Sequence, residues 1–126
     1  MITSGKTATV TVNVTEKNTA KAVGSGSLEV FATPMMVALM EKAACECLAD
    51  SLEPGQTSVG TLINVAHTAA SPIGVTISAT ATIDEVESRK ISFTVTAHDG
   101  TNEIGSGKHE RFVVDAERFM KKLEQR

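Results

Sequence analysis

Aromatic side chains are scarce in this chain of 126 residues, which contains four Phe and neither Trp nor Tyr. The core must therefore be aliphatic, and recognition of nucleic-acid bases by stacking on aromatic rings is not expected. A net charge of -3 also argues against binding to nucleic-acid phosphates. No run of about 18 apolar residues is present, so no membrane span is expected. The N-terminal MITSGKTATVTV lacks the apolar segment of a signal peptide.

Cysteine is nearly absent as well. Cys45 and Cys47 stand two positions apart in an apolar stretch. On a helix their side chains diverge, so they cannot bridge each other, and their spacing fits neither a CxxC redox motif nor a zinc site. We interpret both as small core-filling residues of a reduced, cytoplasmic protein.

The hydrophobic pattern predicts one domain over residues 1–126, with five strands and two helices. β-branched and apolar residues alternate with polar ones in each predicted strand, and residues 15–27 are predicted to form a loop. The predicted strands are Thr7–Val14, Thr57–Thr68, Val75–Val86, Lys90–His98 and Asn102–Val114, and the predicted helices lie within Ala32–Asp50 and Asp115–Gln125.

The order of these elements predicts the fold class. One strand and one long helix precede four strands with short connections, so the sheet should be largely antiparallel. The apolar helix must lie across one face of the sheet. A long buried helix wrapped by a curved, largely antiparallel five-stranded sheet, with a short C-terminal helix, is the α+β hotdog fold. Domains of this kind usually pair into dimers.

The long helix contains a carboxylate at an unusual position. At 100° per residue, Val37, Glu41, Ala44, Cys45 and Leu48 fall on one apolar stripe. A buried carboxylate costs several kcal/mol unless it is paired or neutralised. Glu41 is therefore a candidate functional residue.

Three further positions are candidates for chemistry. Thr33 precedes Pro34 at the start of the helix, where a capping hydroxyl and free N–H groups are expected. His67 ends the second strand, on the face predicted to carry Val59, Thr61, Ile63 and Val65, and Gly60 lies on the other face, where a ligand can approach the backbone. A structural histidine, a simple cap and a bulge glycine are the ordinary alternatives. His109, which shares a face with Arg111, stays undecided.

Three blocks of sequence resemble one known family. VFATPMMVALMEKA, LEPGQTSVGTLINVAHTAASP and AHDGTNEIGSGKHER occur in this order, and together they look like the fluoroacetyl-CoA thioesterase family of hotdog thioesterases. The resemblance runs from about Val30 to Phe119. One departure concerns the segment before the helix, which carries bulky aromatic lid residues in the fluoroacetyl-specific member, whereas Thr15–Glu29 of this chain contains no aromatic residue.

The resemblance implies hydrolysis of short-chain acyl-CoA thioesters in a dimer whose active sites lie at the subunit interface. It implies Thr33, Glu41 and His67 as catalytic residues, Gly60 at the acyl group or thioester carbonyl, and Arg111 near the thioester and pantetheine arm. It implies no metal or other cofactor, with coenzyme A being part of the substrate. Pairing of dimers into a tetramer stays open.

Two other functions remain compatible with these residues. One is a hydratase or dehydratase acting on acyl thioesters, which also uses a histidine and a carboxylate. The other is an acyl-CoA-binding module without catalysis. Because the lid aromatics are missing, we expect a more general acyl-CoA thioesterase that is not clearly specific for the fluoroacetyl group. Either Glu41 or His67 is expected to act as the general base, or Glu41 attacks directly as a nucleophile.

Overall fold

A computed structural model describes all residues from 1 to 126. The chain forms five strands and three helices: β1 (Thr7–Asn13), α1 (Ala20–Val23), α2 (Thr33–Ala49), β2 (Gln56–His67), β3 (Thr76–Glu87), β4 (Lys90–His98), β5 (Glu103–Asp115) and α3 (Ala116–Glu124). The predicted strands and both predicted helices are confirmed to within one or two residues. The prediction of a loop over residues 15–27 was wrong in part, because α1 forms a single turn there, capped by the Thr19 side chain.

The strands form one antiparallel sheet in the order β1-β3-β4-β5-β2. α2 packs across one face, and the core between the two layers is aliphatic, as expected. Ile77, Ala79, Ala81 and Ile83 of β3 face α2, and so do alternate residues of β4 from Ile91 to Ala97. β1 and β2 are the edge strands of the sheet. No helix is long and apolar enough to cross a membrane.

The buried face of α2 differs from the predicted stripe. Ala44 and Leu48 are buried as predicted, whereas Cys45 is exposed and Val37 is half-buried. The buried residues are Met36, Leu39, Met40, Ala43, Ala44, Cys47 and Leu48. α2 is apolar around most of its circumference, so periodicity alone did not select the buried face. Both cysteines are free thiols, but only Cys47 fills the core.

A β-bulge in β2 decides which side chains face α2. The register of β2 against β5 shifts between Gly60 and Leu62, so Thr61 is the extra residue. Ser58 and Gly60 face the helix layer before the bulge, and Val65 and His67 face it after the bulge. The prediction that Val59 and Thr61 share a face with His67 was wrong, because a bulge reverses the alternation of a strand.

Candidate active site

The start of α2 meets the end of β2 at a short hydrogen bond. Thr33 Oγ1 lies 2.7 Å from His67 Nδ1. Thr33 is the first helical residue and makes no cap: the N-cap is Ala32, and no side chain caps the helix. The prediction of a capping role for the Thr33 hydroxyl was therefore wrong, since the hydroxyl is engaged by the histidine instead.

The backbone around Thr33 leaves one donor available. Met35 and Met36 both donate their N–H groups to the Ala32 carbonyl, and Pro34 has no N–H. The Thr33 N–H is the one donor of the first turn that makes no backbone hydrogen bond. Because the N-terminus of a helix carries partial positive charge, this N–H favours a negative charge placed near it.

The environment of His67 favours the neutral imidazole. Burial lowers the pKa of His67 from its ordinary 6.5, and a backbone interaction with Ala69 offsets part of that effect. Nε2 is buried and has no hydrogen-bond partner. A buried nitrogen without a partner is uncommon in stable structure and is a frequent feature of reacting sites.

A cavity of about 250 Å³ opens beside the Thr33–His67 pair. Small side chains form much of its wall, including Ala20 of α1 and Ser25 in the following loop. Phe31 is the one aromatic residue that lines it. A larger depression of about 390 Å³ lies along α3, but charged and polar residues alone line it and none of the candidate residues is there.

Glu41 lies in a second cluster, farther along α2. Its Oε2 accepts a hydrogen bond of 3.0 Å from Arg111 Nη1 on β5 and lies 4.0 Å from His109 Nε2. Oε1 has no partner within the chain. The Glu41 side chain is 40% exposed while that of Arg111 is 7% exposed. Glu41 therefore borders the core rather than lying inside it, and its burial is compensated by an ion pair.

The position of the Glu41 carboxylate requires a residue without a side chain at position 60. Gly60 stands opposite Arg111 in the β2–β5 register. A Cβ atom built on Gly60 would lie 2.5 Å from Glu41 Oε2, closer than such contacts occur. The absence of a side chain at this position thus gives Glu41 its place against the sheet. Glu41, Gly60, Ile63 and His109 line a cavity of about 210 Å³.

Arg111 is buried and forms hydrogen bonds to Ser58, Glu41 and His109. Its Nε donates to Ser58 Oγ at 2.8 Å, its Nη2 to the Ser58 carbonyl at 3.0 Å, and its Nη1 to Glu41 and to His109 Nε2 at 3.2 Å. The sequence pattern did not predict a role for Ser58 and left that of His109 undecided. The signal available in the sequence was the alternation that places His109 and Arg111 on one face of β5.

The structure brings Thr33 together with His67, and Glu41 together with Gly60 and Arg111. It does not bring the two groups together within one chain. Thr33 and Glu41 are eight positions apart on α2, a separation of about 12 Å along the helix axis.

The chain is similar in sequence to proteins of one known family. The family model described as fluoroacetyl-CoA-specific thioesterase matches residues 14–117. A fluoroacetyl-CoA thioesterase of Streptantibioticus cattleyicolor is 53% identical over 98 residues, covering 78% of this chain and 70% of that protein.

Two solved structures extend the comparison to the fold. A phenylalanine-to-alanine mutant of the fluoroacetyl-CoA-specific thioesterase FlK, in complex with fluoroacetate and CoA, superposes with a TM-score of 0.88 at 44% identity, covering 93% of this chain and 98% of that one. A hot-dog-like protein from Thermanaerovibrio acidaminovorans gives 0.88 at 26% identity, covering 97% and 90%. The predicted hotdog fold is confirmed.

Proposed function

The chain belongs to the fluoroacetyl-CoA-specific thioesterase family, and we propose that it hydrolyses short-chain acyl-CoA thioesters to the free acid and coenzyme A. The observation that carries this proposal is the pair of polar groups on the helix side of the sheet: Thr33 bonded to His67, and Glu41 held against Gly60 by Arg111. The complex of a family member with fluoroacetate and CoA supports a CoA thioester as the substrate.

In the proposed reaction Glu41 is the general base. Arg111 engages Oε2 of the carboxylate, while Oε1 is free to accept a proton from water. The water oxygen bonds to the thioester carbonyl carbon, the carbon–sulfur bond breaks, and the proton taken by Glu41 passes to the departing CoA thiolate. Direct attack by Glu41 to give an anhydride, which water then cleaves, is the alternative route.

The oxyanion that forms in this step requires donors already in place. The Thr33 N–H at the positive end of α2 is one such donor, and the Thr33 hydroxyl, oriented by His67, is another. Loss of a donor of this type costs about 3 kcal/mol in well-studied enzymes. We assign His67 the role of orienting Thr33: its Nδ1–H donates to Thr33 Oγ1 and leaves the hydroxyl hydrogen free for the oxyanion.

The active unit in this proposal is a homodimer. Glu41 and the Thr33–His67 pair are about 12 Å apart along α2, so one chain cannot present all three residues to one thioester. β2 is a 12-residue edge strand, and Leu62 and Ile63 at its centre are 45% and 40% exposed. A long edge strand with exposed apolar side chains is a template for pairing with another chain.

A symmetric pairing of two β2 strands joins the two halves of the site. An antiparallel pairing about a two-fold axis at Asn64 sets Gly60 of one protomer opposite the partner's His67, because each of the two residues is three ladder positions from Asn64 when the bulge residue Thr61 is not counted. Glu41 of one protomer would then face the Thr33–His67 pair of the other. Each dimer would hold two such sites.

The two free thiols also support a reducing, cytoplasmic location.

The proposed substrate range is broader than the fluoroacetyl group. Ala20 and Ser25 line the cavity at Thr33 and His67, and the whole segment from residue 15 to residue 29 lacks aromatic side chains. A wall of small side chains without aromatic lid residues leaves room for acyl chains longer than two carbons.

The experiment that tests the proposed function measures free-thiol release from acetyl-, fluoroacetyl-, butyryl-, branched short-chain and phenylacetyl-CoA. We expect thiol release from several short-chain esters, with Glu41→Gln lowering kcat by about tenfold to a hundredfold or more. Binding without thiol release from any ester would favour the binding module. An enoyl-CoA is tested beside this panel, and its conversion without thiol release would favour the hydratase.

A further inference from the structure

We propose that His109 is a positioning residue that fixes the Arg111 guanidinium and, through it, the Glu41 carboxylate. The inference rests on the proposed function, since it gives Glu41 a role in the reaction. His109 lies on β5, two positions before Arg111 and on the same face of the strand.

The His109 ring is fixed on three sides. It is 1% exposed and stacks on Phe93, with ring centroids 5.8 Å apart. Its Nδ1 lies 2.7 Å from the Leu62 carbonyl, directly after the bulge in β2. Its Nε2 lies 3.2 Å from Arg111 Nη1. A ring confined in this way cannot turn to serve another partner.

These contacts determine the tautomer of His109. A carbonyl oxygen only accepts hydrogen bonds, so Nδ1 must carry the proton that is donated to Leu62. A guanidinium only donates, so Nε2 must present its lone pair to Arg111. His109 is thus a neutral acceptor toward the cation. Burial is the largest influence on the pKa of His109 and lowers it; the hydrogen bond to Leu62 and the charges of Glu41 and Glu110 oppose this effect, the positive charge of Arg111 adds to it, and the net shift is downward.

The lone pair of His109 is one of four acceptors around Arg111. One Nη1 hydrogen is directed to Glu41 Oε2 and the other to His109 Nε2, while Ser58 accepts from Nε and Nη2. Arg111 is 6% exposed, so water does not readily replace a missing acceptor. Without His109 the guanidinium must turn to find another acceptor, and the carboxylate paired with it moves as well.

Three substitutions separate this role from simple packing. His109→Gln places an amide oxygen near the position of Nε2 and keeps an acceptor for Arg111. His109→Asn places an amide nitrogen near the position of Nδ1 and keeps only the donor to Leu62. His109→Phe keeps the ring and its stacking on Phe93 but removes both hydrogen bonds. We expect His109→Asn and His109→Phe to lower kcat about tenfold with KM changed less than threefold, and His109→Gln to stay within about threefold of the parent kcat.

Two further measurements make the test decisive. In the Glu41→Gln background, His109→Asn should cost no additional turnover. Long-range proton–nitrogen NMR on the unmodified protein near pH 7 should show a neutral His109 protonated at Nδ1, a result that does not depend on activity.

Each contrary outcome points to one error. Equal losses in His109→Gln and His109→Asn, or a ring protonated at Nε2, would overturn the positioning role. Unchanged turnover in Glu41→Gln itself would instead overturn the proposed function, while the NMR result would still report on His109.

Discussion

Replacement of Gly60 by alanine tests the geometry around Glu41. The added Cβ would lie 2.5 Å from Glu41 Oε2, whereas ordinary contacts begin at 3.4 Å, so a shift of about 0.9 Å is required. The Gly60 backbone is held in register with Arg111 on β5, and the carboxylate is the end of a flexible side chain. We therefore expect Glu41 to move and the strand to stay.

The size of the effect follows from the ion pair. Lengthening the 3.0 Å contact between Glu41 and Arg111 by this amount weakens the attraction by about 1 kcal/mol at an effective dielectric constant of about 20. Partial exposure of Glu41 reduces that value further. The melting temperature should thus fall by no more than about 4 °C. A base displaced by about 1 Å can lose about a hundredfold in rate.

The assay compares thiol release and thermal unfolding of Gly60→Ala with those of the parent protein. We expect kcat to fall by tens to a hundredfold while most of the stability remains. The control is the same substitution in Glu41→Gln, where the added loss should be small because the displaced base is already absent. A Gly60→Ala protein with unchanged kcat, or one with the full loss in both backgrounds, would refute the reasoning.

Three further predictions concern the histidines, the hydroxyl and the dimer. Thr33→Val removes the hydroxyl bonded to His67 and should lower kcat at least about tenfold, whereas Thr33→Ser should keep kcat within several-fold of the parent value. Equal losses of kcat in the two variants, measured in steady-state assays, would refute a role for the hydroxyl. Because burial lowers the pKa values of His67 and His109 from 6.5, the unfolded state binds more protons, so stability should fall as the pH drops through and below about 6.5. Urea midpoints at several pH values check this, and an unchanged midpoint in that window would contradict it. Ile63→Asp sets like charges beside the proposed two-fold axis and should give inactive monomers, as measured by size-exclusion chromatography with light scattering. The control Ile73→Asp, at a similarly exposed residue outside the strands, should stay dimeric and active. A dimeric, active Ile63→Asp protein would exclude the pairing.

Most of the fold was predictable because apolar and polar residues alternate clearly along the strands. Alternation in β3 and β4 identified the buried face of the sheet correctly. The bulge at Thr61 could not be predicted, since no local residue pattern marks a register shift that depends on β5. That shift is what allows Gly60 and His67, seven positions apart, to face the same helix.

The candidate residues could be selected from the sequence, but their arrangement could not. The partners of Glu41 lie on β5, and those of Thr33 lie at the end of β2. Only the tertiary fold brings these segments together. A capping role for Thr33 was the best local interpretation, yet the hydroxyl bonds to a histidine 34 positions away. The His109–Arg111 contact likewise depends on the bulge carbonyl of Leu62.

The central claim is that each active site combines Glu41 of one protomer with the Thr33–His67 pair of the other. Mixing Glu41→Gln and His67→Ala proteins, each with kcat at least about tenfold below the parent value when alone, tests this claim after the subunits have been allowed to exchange. A mixed dimer would contain one intact site, so random exchange should restore about one quarter of the parental thiol-release activity. If exchange is demonstrated and no activity returns, the three residues act within one chain and the account is wrong.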